Sequence, residues 1–578
     1  MKPKPPWRTE RALTRRGFLG RAALTTSALA GPWSSWRRAY AQGDVGADDQ
    51  RKIEAALPAE AFVRSRKPRK LLIFDLNVGY GGHGSISTAN LAFTLMGRKT
   101  GAFETVVSRD PAVFEPESLR QFDAVFFNNT VGNCFADPAL RQSLVEFVYG
   151  GGGLMGVHGT SVAFTQWPGA IEDWPEFGLM IGARGANHRA SDERVFVKLD
   201  DAAHPVNQPF GGQGFEYRDE FFRVHEPYSR DRVRVLLSID TEKTDLKQGP
   251  AYGKLERADN DFALAWLRNY GRGRTFYCTI AHNPYVFWNA KMLQFYLAAT
   301  QFVLGDLEAP TLPSAKLTPA MRAQEKLGWR LVIQPDTFCE PTLFETIDKT
   351  AQLGVPYLGG VCLQTVSTDI RKSLDNLLSD GELEQLRTKF DGAGVRMLTY
   401  DDGGVPQDAA GYRRVFESAR RLGVESLVLR PRLEDFDLVE RLCDEFEVNL
   451  AIPVFPRPDQ LQKACEGRSR HLGASFNLDS WLGSGIDPLP ALRTLRDRLM
   501  IVNLHDADKK GEHGKTVPWG TGIGRVGECL RELHRLGVRP VTFGLRYPHG
   551  YVERTAEIAR CIEFFNQTCL KLAEEKSK

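Results

Sequence analysis

The chain has 578 residues, a formal net charge of +3, 25% charged residues and nine cysteines. It is too long for one hydrophobic core, so two domains are expected. Its cysteines are too sparse, and odd in number, for a disulfide scaffold.

Residues 1–41 read as an export leader. Thr14-Arg15-Arg16-Gly17-Phe18-Leu19 matches a twin-arginine signal, Ala22 to Ala30 is weakly apolar, and Ala39-Tyr40-Ala41 is a small-x-small cleavage site. The apolar run is too short to span a membrane. Lys2, Lys4, Arg8, Arg11, Arg15, Arg16, Arg21, Arg37 and Arg38 against Glu10 give the leader +8 of a chain total of +3, leaving about −5 for the mature part. A nucleic-acid partner is therefore not expected. The expected partners are the twin-arginine export machinery and a small carbohydrate, and the expected location is periplasmic or secreted. Residues 42–67 read as a linker, and the oligomeric state has no signature in the sequence.

Lys70-Leu71-Leu72-Ile73-Phe74 and Asp123 to Phe127 are apolar strands, and Leu140–Tyr149 has helical period. Four glycines, Gly150 to Gly153, lead into Leu154-Met155-Gly156-Val157-His158. Apolar strands alternating with helices predict a mainly parallel sheet covered on both faces. Ligands of such sheets bind beyond the carboxyl ends of the strands. His83, Asn128, Asn129 and His158 lie just past such ends, and the two asparagines are candidate substrate-binding residues.

Five blocks make residues 68–306 resemble the ThuA-like (trehalose-utilisation) family: Gly81-Gly82-His83-Gly84-Ser85-Ile86, Gly153 to His158, His204-Pro205-Val206, Asp219-Glu220-Phe221, and Tyr270 to Tyr277 followed by His282. The resemblance implies an α/β fold of the flavodoxin-like, class I glutamine amidotransferase-like type, a doubly wound sheet. Amidotransferases carry a nucleophilic Cys at the strand-to-helix elbow, where a nucleophile is exposed beside its base. Here the elbow is His158, which excludes thiolate-driven glutamine hydrolysis at that position. His83, His158 and His282, with Asp219 and Glu220, are expected to share a pocket, either for acid–base catalysis or for a divalent metal. His204 reads as a structural hydrogen-bonder.

Residues 307–324 read as a Pro-bearing linker. Across 325–578, apolar strands begin near Leu331, Tyr357, Met397, Leu427, Leu450, Leu472, Met500 and Val541, with helical periods such as Leu343–Leu353, Tyr412–Leu422, Leu438–Phe446 and Leu530–Leu536 between them. Eight strand–helix units over this length predict a (β/α)8 TIM barrel. Phe476-Asn477-Leu478-Asp479-Ser480-Trp481, Gly485 to Pro488, Val502 to Asp506 and Val517 to Gly522 resemble the xylose-isomerase-like barrels of sugar isomerases and epimerases.

That resemblance implies metal ligands where this chain carries Pro453, Asn477, Ser480, Asn503 and Gly544. Pro and Gly offer no side-chain donor and neutral Asn is a weak one, so no divalent metal is expected in the barrel. The polar groups left at the carboxyl ends include Asp401, Asp402, Arg430, Arg432, Asp479, Trp481, His505, Asp506, Arg546 and His549. Arg430, Asp479, Trp481, His505, Asp506 and Arg546 suit sugar binding, although Asp506 and Arg546 could instead pair to hold the rim.

The expected function is an exported enzyme acting on a sugar, keto-sugar or glycoside by acid–base isomerisation, elimination or hydrolysis, with the chemistry in the first half. Two alternatives stand: a non-catalytic carbohydrate-binding scaffold, and a metal-dependent sugar isomerase in the barrel.

Overall fold

The structure is a computed structural model. It describes residues 45–575 apart from 166–172, 254, 339, 341, 375–377, 405, 455–456, 511–513 and 549–552. The leader at 1–41 and His549 lie outside the described residues.

The first domain is built on a nine-stranded sheet. Five strands run parallel in the order Glu104–Ser108, Lys70–Phe74, Ala124–Asn128, Gly153–Val157 and Gly273–Cys278. Their central members are buried throughout, as strands covered on both faces must be. The helix Pro138–Tyr149 starts where Asp137 accepts from the Ala139 amide and Pro138 takes the first helical position.

The mainly parallel expectation needs correction. Four strands continue the sheet antiparallel: Ala263–Tyr270, Arg234–Ile239, Glu193–Leu199 and Phe215–Asp219. Glu193–Leu199 and Phe215–Asp219 alternate in burial, the pattern of half-solvated antiparallel strands.

The 42–67 linker is also corrected. Ala47–Ala56 is a helix that buries Ile53 in the sheet domain's core, and the amides of Phe62 and Val63 bond to the Gln301 side chain. A helix, Pro319–Leu327, begins inside the second linker and runs past its end, capped by the Thr318 hydroxyl and packed on the C-terminal helix Thr555–Glu574.

The second domain is a closed barrel of eight parallel strands: Trp329–Ile333, Tyr357–Val361, Arg396–Asp401, Ser426–Val428, Asn449–Val454, Leu472–Asn477, Leu499–Leu504 and Val541–Leu545. The last strand pairs with the first, from Trp329 with Val541 to Ile333 with Leu545. All eight expected strands are present.

Residues 41–578 form one compact unit. Buried ion pairs join the domains. Arg387 Nε lies 2.7 Å from Glu176 Oε1, which also accepts the Tyr270 hydroxyl at 2.8 Å. Arg234 pairs with Asp201 and Glu325, and Asp391 faces both Arg268 and Arg232. Arg272 donates to the Gly150, Phe446 and Glu447 carbonyls, tying the glycine run to a barrel loop. Among the described residues, no helix is long and apolar enough to cross a membrane, and all eight cysteines are free.

Candidate active site

His158 follows the strand Gly153–Val157 directly and takes φ 40°, a left-handed conformation rare outside glycine. The strained elbow turns its ring across the strand ends. Its Nδ1 lies 2.9 Å from the Thr279 carbonyl oxygen. A carbonyl only accepts, so Nδ1 carries a proton and Nε2 of the neutral ring keeps its lone pair. The Tyr277 hydroxyl, at 2.7 Å, and the Ser161 hydroxyl, at 3.1 Å, donate to the His158 carbonyl and hold the turn.

His282, past the end of Gly273–Cys278, brings Nδ1 to 3.2 Å from His158 Nε2. Glu220 Oε1 lies 3.4 Å from each of these two nitrogens. Its other oxygen lies 3.2 Å from His188 Nδ1. His83 stands edge-on to His158, ring centroids 4.8 Å apart, and has a buried Nδ1 with no hydrogen-bond partner among the described residues. Ligand atoms of His83, His158 and His282 all fall within 4.8 Å of one another. Gly159 allows this approach, since a methyl group there would come 2.9 Å from His83 Cε1.

The electrostatics follow from burial beside one carboxylate. Burial, then the neighbouring His158 and His282, push His83 down to about 2. Burial and His158 push His282 down to about 4. Burial alone would raise Glu220, but His158 and His188 beside it hold it far below the usual carboxylate range. For His188, burial is outweighed by Glu220 and the net shift is upward. His83 and His282, both pushed below the usual imidazole range, are thus neutral beside a carboxylate anion.

The structure brings His83, His158, His282 and Glu220 together. Asp219 has a different part. It is fully buried and accepts from the His282 amide, the Asn283 amide and the Asn283 side chain at 3.1, 3.1 and 2.7 Å, so it positions the His282 loop and does not face a ligand. Burial pushes its carboxyl up to about 8 against those bonds.

Asn128 and Asn129 are corrected similarly. Both are fully buried. Asn128 donates to Ile86 O and Asn90 Oδ1; Asn129 donates to Ala281 O and accepts from the Gly159 amide. They brace the loops that carry the histidines. His204 is structural, accepting from the Val206 amide and bonding Pro310 O.

His188 was not singled out by the sequence, because nothing in its spacing links it to Glu220. It lies on a two-residue strand paired with Ala251–Tyr252. Three exposed tyrosines belong to this region. Tyr80 is 5.1 Å from the His83 ring, Tyr252 is 5.2 Å from the His188 ring, and Tyr285 bonds Arg218 O beside Asp219. Tyr252 is 56% exposed, which leaves its ring free to meet a ligand.

The carboxyl-end face of the barrel gathers a second polar group. His505 Nδ1 is 2.7 Å from Asp479 Oδ1 and its Nε2 is 3.2 Å from Thr516 Oγ1. Arg430 is exposed at the end of its strand, and Arg546 pairs with Asp336, not with Asp506. Two expected sugar contacts are corrected. Trp481 is buried and stacked on Phe476 at 5.3 Å, so it belongs to the core. Asp506 is fully buried and accepts from the amides of Ala507, Gly520, Gly522 and Gly524, a clamp on the loop that follows. Asp506→Ala orphans these donors and is expected to cost more than about 2 kcal/mol, read as a fall in the denaturation midpoint of the full chain; a change under about 0.5 kcal/mol would contradict the clamp.

At the implied ligand positions, Asn503 Oδ1 accepts from Gln334 Nε2 at 3.1 Å, and a side-chain carbon on Gly544 would fall 1.9 Å from that oxygen. Asn477 caps the helix Leu478–Ser484, and Pro453 lies within its strand.

Residues 70–303 match the profile of the family described as ThuA, trehalose utilisation, and form a ThuA domain. No curated protein matches the chain. Among solved structures, the first domain is similar to an uncharacterised protein of Parabacteroides distasonis, 29% identical over 41% of this chain and 98% of that one, TM-score 0.36. It is also similar to a ThuA-like protein of Bacteroides uniformis, 19% identical over 42% and 93%, TM-score 0.34. The barrel is similar to a xylose isomerase domain protein of Alicyclobacillus acidocaldarius, 15% identical over 43% and 100%, TM-score 0.33.

Proposed function

We propose that this is an exported enzyme of carbohydrate metabolism whose reactive centre is the His83, His158, His282 and Glu220 cluster of the ThuA domain. The observation that carries this reading is one carboxylate, Glu220, within 3.4 Å of both His158 and His282 at the carboxyl ends of parallel strands. The trehalose-utilisation description of the matched family supports a sugar substrate. So do the tyrosines Tyr80 and Tyr252 beside the histidines, since aromatic faces stack on the apolar faces of sugar rings.

A carbonyl beside a C–H group makes that proton removable. An imidazole of the cluster with a free lone pair can take it, and isomerisation or elimination of a keto-sugar or glycoside follows. The barrel face bearing Arg430, Asp479, His505 and Arg546 recognises a second part of the substrate. Metal-dependent isomerisation in the barrel is disfavoured by the Gln334–Asn503 amide pair, which lies against Gly544.

The test is turnover on a panel of keto-sugars and glycosides. His505→Gln is expected to change KM more than kcat; a loss of kcat of a hundredfold or more in that variant would move the chemistry to the barrel. Export is tested separately. Changing Arg15 and Arg16 together to Lys keeps the charge but removes the guanidinium pair, for which Lys is no substitute. The variant is expected to remain in the cytoplasm, and continued export would remove the twin-arginine reading.

A further inference from the structure

We infer that His158, His282 and Glu220 form three corners of a tetrahedral site for a divalent transition-metal ion of the zinc type, with the fourth position open beside His83; this deepens the function proposed above and rests on the same cluster. The three donor atoms lie 3.2, 3.4 and 3.4 Å apart, a nearly equilateral triangle. A tetrahedral ion with bonds of about 2.0–2.1 Å requires neighbouring ligand atoms about 3.3–3.4 Å apart. Two imidazoles with one carboxylate are ligands of zinc and its neighbours, not of calcium or magnesium.

Protonation points the same way. The Thr279 carbonyl fixes the proton of His158 on Nδ1, so the Nε2 lone pair faces the Glu220 carboxylate oxygen at 3.4 Å. One proton on His282 Nδ1 cannot align with both acceptors, whereas an ion near the triangle's centre meets all three donors.

The surrounding groups are those a metal centre needs. The carbonyl behind His158 sets its tautomer, His188 holds the second oxygen of Glu220, and Asp219 fixes the backbone of His282. The His83 Nδ1, buried without a partner among the described residues, marks an imidazole whose bonding is incomplete within the protein alone.

The experiment uses the full mature chain, stripped with chelator, dialysed, and loaded with Zn2+ or Co2+. One ion per chain is expected, with the intense visible absorption of tetrahedral Co2+. Binding is expected to be lost in His158→Ala, His282→Ala and Glu220→Gln, the last preserving side-chain volume in case the Ala variants unfold. His188→Ala is expected to weaken affinity about 10–100-fold, and His204→Ala to retain it. No stoichiometric binding by the wild type, or binding by Glu220→Gln equal to wild type, overturns the site. Turnover separates the two claims: turnover by a wild type that binds no stoichiometric ion refutes the metal and leaves acid–base catalysis, whereas an ion lost from Glu220→Gln with turnover intact upholds the metal and refutes the reactive centre.

Discussion

His158→Ala is expected to abolish turnover, lowering kcat by at least about 10²–10⁴, the range set by one general acid–base group. The ring lies at the elbow within contact distance of His282 and Glu220, so its removal takes one member of the cluster and unpairs the others. His204→Ala, which alters a turn bonded to Pro310, is expected to keep kcat within a few-fold. Circular dichroism of each variant separates loss of chemistry from loss of fold. Full activity in a folded His158→Ala would place the chemistry elsewhere.

Asp391→Ala is expected to be the most destabilising of the interface changes. Asp391, on the barrel helix Asp380–Ala393, is buried and faces Arg268 and Arg232 of the first domain. Removing the one carboxylate leaves two guanidinium groups against each other without a counter-charge. Breaking a buried pair from one side costs about 3–5 kcal/mol. The expected result is a lower denaturant midpoint for the full chain, accompanied by separate melting of the two domains. A loss below about 1 kcal/mol would show that the groups are hydrated and that apolar packing alone joins the domains.

Much of the architecture was legible because apolar runs report burial directly. Lys70–Phe74 has the predicted bounds, and the barrel strands begin within three residues of their expected starts. The antiparallel half of the sheet was less visible, because Glu193–Leu199 and Phe215–Asp219 mix charged and apolar residues as many surface segments do.

The histidine cluster was legible for a local reason. Gly156-Val157-His158 places an imidazole where the backbone turns off a strand, Gly81-Gly82-His83 places one just before the helix Ile86–Thr100, and Gly159 admits a neighbouring ring. The roles of Asn128, Asn129, Asp219 and Asp506 were not legible. A polar residue at a strand end can face a ligand or satisfy the amides of the next loop, and only the fold shows which donors surround it. Trp481 likewise reads as a stacking surface until Phe476 is found against it. His188 could not be paired with Glu220 because their contact depends on how the antiparallel strands fold back over the site.

The central claim is that the ThuA domain carries the chemistry and the barrel the recognition. Its most direct test is turnover by Glu220→Gln beside Asp479→Asn, each on the full mature chain with the same keto-sugar and glycoside panel. The account predicts a fall in kcat of about a hundredfold or more for Glu220→Gln, and for Asp479→Asn a higher KM with kcat nearly unchanged. Full kcat in Glu220→Gln together with its collapse in Asp479→Asn would contradict it.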